Sequence, residues 1–150
     1  MAYQFLFLTS DFYADYANCT EIEQKLDRPH IRVLIRANNL DFAIPMRSHI
    51  RHPHAFLTDK INACGLDYTK AVVITKPALY INSITHPHIR QQEFDCLRGK
   101  EYIIERGMAK YIETYKKALL RPDIPRNATL LKYSTLQYFH KYIGVDSNES

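Results

Sequence analysis

Alternation of apolar and polar positions dominates the first half of the chain and predicts β-strands there. Residues 3–8 (YQFLFL) form an aromatic-rich first strand, and residues 31–36 (IRVLIR) alternate strictly between two faces. Asn38 and Asn39 then predict a turn, because asparagine tolerates positive φ, and residues 40–45 (LDFAIP) return as the second arm of a hairpin. Proline cannot donate a ladder hydrogen bond, so we expect regular pairing to end at the last residue of this arm.

Shorter segments fill the spaces around this hairpin. Residues 11–16 predict a short helix, with Thr9, Ser10 and Asp11 as capping candidates. Residues 58–65 are typical of a short helix or loop that stops at its final glycine, and residues 79–81 are compatible with one more short strand. The continuous apolar run at 71–75 (AVVIT) indicates a buried central strand.

From Pro87 onward the apolar period changes from two to 3.6, which predicts helices. One helix is expected over residues 88–97, closed by Gly99, and a longer one over Glu101–Leu120. Pro122 and Pro125 break the pattern, and a last helix is expected to follow. The long helix carries a single apolar stripe made of Ile104, Met108, Tyr111, Ile112, Tyr115 and Leu119. The last helix is marked by Leu131, Thr135, Tyr138, Phe139 and Tyr142.

Strands followed by helices predict an α+β fold, in which a strongly bent antiparallel sheet packs against two or three C-terminal helices. The chain has 150 residues, the size of one domain, and 46% of them are hydrophobic, which is enough for one core. No internal repeat or linker suggests a second unit. We expect one domain over residues 1–143 and a disordered polar tail over 144–150.

Composition narrows the class of protein. No apolar run is long enough to span a bilayer, and the N-terminus lacks the features of a secretion signal, so we expect a cytoplasmic protein with no membrane partner. Three widely spaced cysteines fit free thiols better than disulfides or a zinc site. The formal charge of +4, with eleven tyrosines and arginines concentrated in the first half, favours an anionic partner such as RNA.

The segment 42–56 (FAIPMRSHIRHPHAF) concentrates groups that transfer protons and bind anions. Metal-free cleavage of RNA requires a base for the 2′-OH, an acid for the leaving 5′-oxygen, and donors for the phosphate between them. His49, His52 and His54 can each serve as acid or base near neutral pH. Arg47 and Arg51 can each hold a phosphate with two parallel hydrogen bonds. Ser48 can donate its hydroxyl proton to a non-bridging oxygen.

The orientation of these side chains depends on the backbone after Pro45. If it stays extended, Ser48 and His52 point to one side, whereas Arg47, His49 and Arg51 point to the other.

Two other interpretations of the function remain. The arginines and tyrosines would also suit an RNA-binding module without catalysis. The alternation of His52 and His54, with His86 and His88 as a second pair, would suit a metalloenzyme, although no nearby carboxylate pair or cysteine completes a metal site.

Several motifs in this order resemble a known family. An N-terminal aromatic strand and a tyrosine-containing helix precede a KxxRP motif (Lys25, Arg28, Pro29), a strand, an asparagine turn and the IPMRSHIRH core. The segments 65–74 (GLDYTKAVVI) and 86–94 (HPHIRQQEF) extend the similarity over roughly residues 3–115. Together they resemble the toxins of type III toxin-antitoxin systems, and most closely the TenpN branch of the ToxN/AbiQ superfamily.

The resemblance implies a sequence-specific endoribonuclease that needs no metal or other cofactor and has a compact bent-sheet core related to the Kid/MazF toxins. Such an enzyme leaves a 2′,3′-cyclic phosphate and a 5′-hydroxyl. Its partners would be an RNA substrate and a repeat-encoded RNA pseudoknot, which would hold the toxin inactive in a closed toxin–RNA hetero-oligomer.

The family's Pro-x-x-Ser loop corresponds to residues 45–48. Ser48 is therefore the catalytic residue that the resemblance assigns most directly. ToxN continues with Pro and Lys where this chain has His49 and Ile50, so Arg51 or His52 would replace that lysine. The family's N-terminal tyrosine corresponds to Tyr13. We therefore expect catalysis and RNA binding to rest on two sets of side chains. The catalytic set is Ser48, His52, Arg47, Arg51 and Tyr13, and the RNA-binding set is Lys25, Arg28, His49, His54 and Lys70.

Overall fold

A six-stranded antiparallel sheet and five α-helices make up the fold of this computed structural model, which describes residues 3–22 and 29–145. The strands are β1 (Phe5–Leu6), β2 (Arg32–Ala37), β3 (Leu40–Arg47), β4 (Ala55–Asp59), β5 (Cys64–Asp67) and β6 (Val72–Val73). The helices are α1 (Ser10–Asp15), α2 (Pro77–Tyr80), α3 (Gln91–Leu97), α4 (Glu101–Leu120) and α5 (Pro125–Tyr133), with 3₁₀ turns at Tyr68–Lys70 and Thr135–Tyr138. The predicted α+β class is confirmed.

The predicted hairpin is the centre of the sheet. Strands β2 and β3 pair along their full common length, from Arg32 opposite Pro45 to Ala37 opposite Leu40. The turn between them is made by Asn38 and Asn39, whose φ angles are 51° and 63°. Asparagine is one of the few residues that adopt such angles at low cost, which is why the sequence located this turn correctly.

Strand β3 is longer than predicted, because Pro45 does not end it. Met46 donates its N–H to the Ile31 carbonyl at 2.8 Å, so the nitrogen of Pro45 faces the opposite side of β3. On that side residues 42–43 pair with β6 and residues 46–47 pair with β5. The proline therefore stands where the neighbouring strand changes and no ladder bond is needed.

The order β1-β2-β3-β5-β4 describes an open sheet, and over the described residues its two ends do not pair. Two local predictions were wrong here. Residues 58–65 belong to the β4–β5 hairpin, in which Ala63 turns with φ of 53° and Gly65 pairs inside a strand. Residues 79–81 are mostly the end of α2, and only Ile81 forms an isolated bridge, to Leu8.

The helices follow the predicted periodicity closely in α4 and less closely elsewhere. Helix α4 has the predicted bounds and buries every residue of the predicted stripe except Leu119, which is partly buried, and it also buries Ala118. The expected last helix is divided: α5 ends at Tyr133, and Ser134 caps the following 3₁₀ turn by accepting the Leu136 N–H at 3.2 Å. The final residues 146–150 of the predicted tail lie outside the described residues.

One hydrophobic core joins the sheet, α1, α4 and the C-terminal 3₁₀ turn. An unexpected member is Arg32, which is only 2% exposed and donates to the carbonyls of Ala43 at 3.2 Å and Lys70 at 3.3 Å. Within the described chain, none of the helices combines the length and hydrophobicity that crossing a bilayer requires.

Gly65 lies directly against the backbone of β4, which leads to a stability prediction. A Cβ at this position would lie 2.1 Å from the Phe56 carbonyl oxygen and 2.7 Å from the Leu57 Cα. Both atoms belong to the backbone, so the two strands would have to separate. We expect Gly65→Ala to lower the free energy of unfolding by about 3 kcal/mol, as measured by urea denaturation.

Gly99→Ala is the comparison variant, because no atom lies within 4 Å of a Cβ built there although φ is +73°. It should cost about 1 kcal/mol through the backbone alone. Equal losses in the two variants would contradict the proposed clash.

Candidate functional site

The segment that follows β3 is a loop over residues 48–54, and it is not extended. His49 has a φ of 56°, which reverses the chain, and Ile50 is buried and donates its N–H to the Ala63 carbonyl at 2.9 Å. The extended backbone on which the predicted sides of Ser48, His52 and Arg47 depended is therefore absent from this loop. The turn at His49 breaks the two-residue alternation on which that prediction depended.

A buried carboxylate, Asp67, brings several predicted site residues together. Its Oδ2 accepts a hydrogen bond from Arg47 Nη1 at 2.8 Å. Its Oδ1 lies 3.0 Å from His52 Nε2 and accepts from both the backbone N–H and the hydroxyl of Thr69, at 3.0 and 2.6 Å. The Asp67 side chain is 0% exposed, so these four donors replace the water that it lost on folding.

The hydrogen bonds of His52 define its tautomer. The backbone N–H of His54 donates to His52 Nδ1 at 3.0 Å, so this nitrogen carries no proton. The ring proton is therefore on Nε2, which faces Asp67 at 3.0 Å. Because both ring nitrogens are engaged within the protein, His52 can exchange a proton with a substrate only if one of these contacts breaks.

The pKa values of the cluster follow from its burial. Burial by itself would raise the pKa of Asp67, but hydrogen bonds from His52, Thr69 and Arg47, together with the electrostatic influence of His52, lower it to about 2. Burial lowers the pKa of His54, and the electrostatic influence of His52 beside it lowers this pKa further. The His54 ring lies 5.7 Å from the His52 ring and 5.4 Å from the ring of Tyr111, in an aromatic environment that favours the neutral imidazole.

Ser48 opens onto a cavity of about 360 Å³, which we call the Ser48 cavity. The serine is exposed, and its hydroxyl lies 3.2 Å from Nδ1 of the adjacent His49. The polar residues that line this cavity come from three separate segments of the chain. They are His30, Arg47, Ser48, His88, Arg90 and Glu93.

A second cavity of about 670 Å³ lies between the 48–54 loop and helix α5, and we call it the α5 cavity. Its apolar lining includes Pro53, Leu130 and the half-exposed ring of Tyr133. Its cationic side chains are Arg47, Arg51, Lys70 and Arg126, with His52 and His54 beside them. None of the described residues that line it is acidic. Arg47 lines both cavities and so marks their junction.

Lys70 is held at the edge of the α5 cavity by the protein itself. Its ammonium donates to the Tyr133 carbonyl at 2.7 Å, at the C-terminal end of α5, where helix carbonyls lack partners within the helix. Thr135 donates to the carbonyls of Thr69 and Ala71, which joins the turn after β5 to the C-terminal segment. The α5 cavity is thus walled by parts of the chain more than fifty residues apart.

The other predicted site residues lie elsewhere. Tyr13 is 5% exposed and lines a third cavity, which shares only Pro29 with the Ser48 cavity. The structure therefore does not bring Tyr13 to either cavity beside Arg47. Lys25 and Arg28 lie outside the described residues.

Three contributions to the site were not predicted from the sequence. Asp67 organises the cluster. The sequence feature that could have identified it is a carboxylate among the apolar residues of the segment GLDYTKAVV. Arg126 enters the α5 cavity from the first turn of a helix in which nothing in the sequence marks this arginine as part of a site. His88 and Arg90 belong to the 86–94 motif, but the sequence does not show that they are neighbours of Ser48. Across residues 3–22 and 29–145, no cluster of three or more His, Cys, Asp or Glu side chains is arranged to hold a metal ion.

Comparison of the chain with protein-family models, with curated proteins and with solved structures finds no match.

The Asp67 cluster predicts a specific pH dependence of stability. Asp67 has a lower pKa in the folded protein, about 2, than its ordinary value of 3.8, so its contribution is complete above pH 4 and is lost as the pH falls towards 2. We expect Asp67→Asn to reduce the free energy of unfolding at pH 7 by about 2 kcal/mol. The difference between wild type and variant should shrink between pH 4 and pH 2, as followed by urea denaturation at each pH.

Asp123→Asn provides the control, because the Asp123 carboxylate is exposed and pairs only with Arg121 among the described residues. This variant should keep the wild-type stability at pH 7, since exposed ion pairs contribute little. A constant difference between wild type and Asp67→Asn down to pH 2 would show that the Asp67 charge is not what stabilises the fold.

Proposed function

We propose that the protein is a metal-independent endoribonuclease that acts at the junction of the Ser48 cavity and the α5 cavity. The observation that carries the proposal is the charge of this surface. Among the described residues, four cationic side chains and no carboxylate line the α5 cavity, and one of the four, Arg47, also lines the cavity that contains Ser48. A polyanion that crosses Arg47 would contact both cavities at once.

The groups around Ser48 suit a phosphodiester. The Ser48 hydroxyl is exposed and can donate to a non-bridging phosphate oxygen, and Arg47 supplies positive charge beside it. Asp67 fixes the position of Arg47 through a 2.8 Å ion pair, which limits the reorganisation needed when the substrate binds. Cleavage would proceed by attack of the 2′-oxygen on phosphorus, leaving a 2′,3′-cyclic phosphate and a 5′-hydroxyl.

The α5 cavity suits the nucleotides next to the cleaved bond. Its volume of about 670 Å³ is within the range of small-molecule sites. Tyr133 is 52% exposed, and the Lys132 ammonium lies 5.4 Å from the centre of its ring, so a base stacked on this ring would also lie near a positive charge. Arg51 and Arg126 line the same cavity, where they can contact phosphates. Stacking on a side chain favours an unpaired strand over a duplex, because the bases of a duplex are already stacked on one another.

The biological role that we propose rests on the resemblance of the IPMRSHIRH segment to the TenpN branch of the ToxN/AbiQ superfamily. In this role the protein is a cytoplasmic toxin of a type III toxin-antitoxin system. A repeat-encoded RNA pseudoknot would occupy the same basic surface and hold the toxin in a closed toxin–RNA assembly. A bent-sheet core related to the Kid/MazF toxins belongs to the same proposal.

A non-catalytic RNA-binding module is the second candidate, and the geometry of His52 favours it. Both ring nitrogens of His52 are engaged by His54 and Asp67, so the histidine best placed by the sequence for acid–base chemistry is not available for it. This candidate uses the same cationic surface and differs in a single respect. It predicts RNA binding with no cyclic-phosphate product at any protein concentration.

The first test of the proposal concerns Ser48. The purified protein should cut single-stranded RNA in excess EDTA, and Ser48→Ala should reduce the cleavage rate at least about 100-fold, because a donor to the phosphate is lost. RNA affinity should change little, since the cationic side chains remain. Product analysis by gel electrophoresis and mass spectrometry would detect the 2′,3′-cyclic phosphate end.

Ser83→Ala is the matched control, because Ser83 is exposed and lines neither of the two cavities beside Arg47. It should cut RNA at the wild-type rate. Wild-type activity in Ser48→Ala would remove Ser48 from the site, and binding without any cleavage in the wild-type protein would favour the RNA-binding module.

A second test measures the contribution of the α5 cavity to RNA affinity. Arg126 lines this cavity, whereas the exposed Arg121 lines neither cavity and pairs with Asp123. We expect Arg126→Ala to weaken binding of a single-stranded RNA and to reduce the slope of log K against log salt by about 0.7, the loss of one phosphate contact. Arg121→Ala should change both quantities less. Equal effects of the two variants would mean that binding depends on net charge and not on the α5 cavity.

A further inference from the structure

The hydroxyl groups that line the α5 cavity are already used by the protein. The Thr69 hydroxyl donates to the Asp67 carboxylate at 2.6 Å, and the Thr129 hydroxyl donates to a carbonyl one turn earlier in α5 at 3.1 Å. The hydroxyls of Ser134 and Tyr111 lie 2.6 Å apart and are bonded to each other. Each of the three lining hydroxyls thus holds a wall of the cavity in place.

His54 lines the same cavity, and its ring is fixed without being used. Its backbone N–H donates to His52 Nδ1 at 3.0 Å, and its carbonyl accepts the Tyr68 N–H at 3.1 Å. Its ring lies 5.7 Å from the His52 ring and 5.4 Å from the Tyr111 ring. Among the described residues, none forms a hydrogen bond with either nitrogen of the His54 ring. The donor and the acceptor of this imidazole therefore remain for water or a ligand.

Tyr111 connects His54 to the part of the cavity that α5 forms. Its ring contacts the His54 ring, and its hydroxyl is bonded to Ser134, the residue that follows Tyr133. Tyr111 is 2% exposed and belongs to the long helix α4, so the core of the protein fixes this connection. His54 and Tyr133 thus border one cavity, the first from the 48–54 loop and the second from α5.

The charge state of His54 suits a base better than a phosphate. Burial lowers its pKa below the ordinary 6.5, which leaves the imidazole neutral at pH 7. A neutral imidazole has one N–H donor and one acceptor, whereas a phosphate offers only acceptors and is bound better by cations. Arg51 and Arg126 line the same cavity, and neither forms a hydrogen bond or ion pair with another described residue.

We propose that the α5 cavity recognises one unpaired base of the RNA and that His54 is the side chain that contacts the edge of this base. Tyr133 stacks on the face of the base, and Arg51 and Arg126 bind the flanking phosphates. Stacking accepts every base, because each has a π-face, so selectivity depends on hydrogen bonds at the edge. His54 is thus a specificity-determining residue. This inference rests on the proposed function in taking RNA as the ligand.

The test measures the affinities of the four ribonucleoside 5′-monophosphates by NMR titration. In the wild-type protein the dissociation constants of the best and the worst nucleotide should differ at least about 5-fold, the effect of one hydrogen bond at the base edge. His54→Phe keeps a ring beside Tyr111 and removes both nitrogens, so this difference should disappear. Tyr133→Leu should instead weaken all four nucleotides at least about 5-fold and keep the difference, because stacking does not select a base.

His140→Phe is the matched control. His140 is also partly buried, its ring lies 5.6 Å from the ring of Tyr115, and burial lowers its pKa, but it does not line the α5 cavity. The variant loses the 2.7 Å bond to the Tyr115 hydroxyl, so it controls for a loss of stability. Its base preference should equal that of wild type. An unchanged preference in His54→Phe would overturn the assignment.

A measurement on the wild-type protein keeps the inference testable if His54→Phe folds poorly. The ring resonances of His54 should shift when a nucleotide is added, and they should shift less with ribose 5-phosphate, which has no base. Equal shifts with the two probes would mean that the cavity binds anions without recognising a base. Unshifted His54 resonances with all four nucleotides would equally overturn the inference.

Cleavage assays separate this inference from the function on which it rests. If wild type cuts RNA but His54→Phe keeps the base preference, the assignment of His54 is wrong while the endoribonuclease stands. If wild type leaves RNA intact but binds the four nucleotides with the expected difference, the endoribonuclease fails while the recognition of a base stands.

Discussion

The burial of one carboxylate, Asp67, is the constraint on which the site depends. An ionised carboxylate without exposure to water must be satisfied by protein donors, and here they come from the end of β3, from the 48–54 loop and from the turn after β5. These three segments therefore have to meet at one point. The arrangement of Arg47 and His52 is a consequence of that requirement, and Arg47 in turn lines both cavities.

The same constraint divides the reactive residues into two groups. Arg47 and His52 are drawn inwards to Asp67, and their side chains are 29% and 30% exposed. Ser48, His49 and Arg51 stay at the surface, because the reversed backbone at His49 and the buried side chain of Ile50 turn them away from the carboxylate. The polar residues of this segment are thus separated in the fold. Arg47 and His52 contact Asp67, and Ser48, His49 and Arg51 are exposed where a ligand can reach them.

Local features of the sequence were sufficient to predict the central hairpin and α4. The hairpin depends on two asparagines with positive φ and on strict alternation, and α4 depends on an apolar stripe along a helix of twenty residues. The β4–β5 hairpin was missed because its strands are five and four residues long and pair around a bulge, and such short segments carry no clear period. Its close approach at Gly65 is visible only once the register places Leu57 opposite this glycine and the Phe56 carbonyl beside it.

The sequence named most of the residues now found beside Arg47, but it did not group them correctly. Alternation assigns sides only while the backbone remains extended, and a single residue with positive φ, His49, cancels that rule for everything after it. Contacts between segments far apart in sequence, such as Asp67 with Arg47 or His88 with the Ser48 cavity, leave no periodic trace. Because proton transfer requires a ring nitrogen that can reach a substrate, the contacts of His52 with His54 and Asp67 would have to break before this histidine could take part.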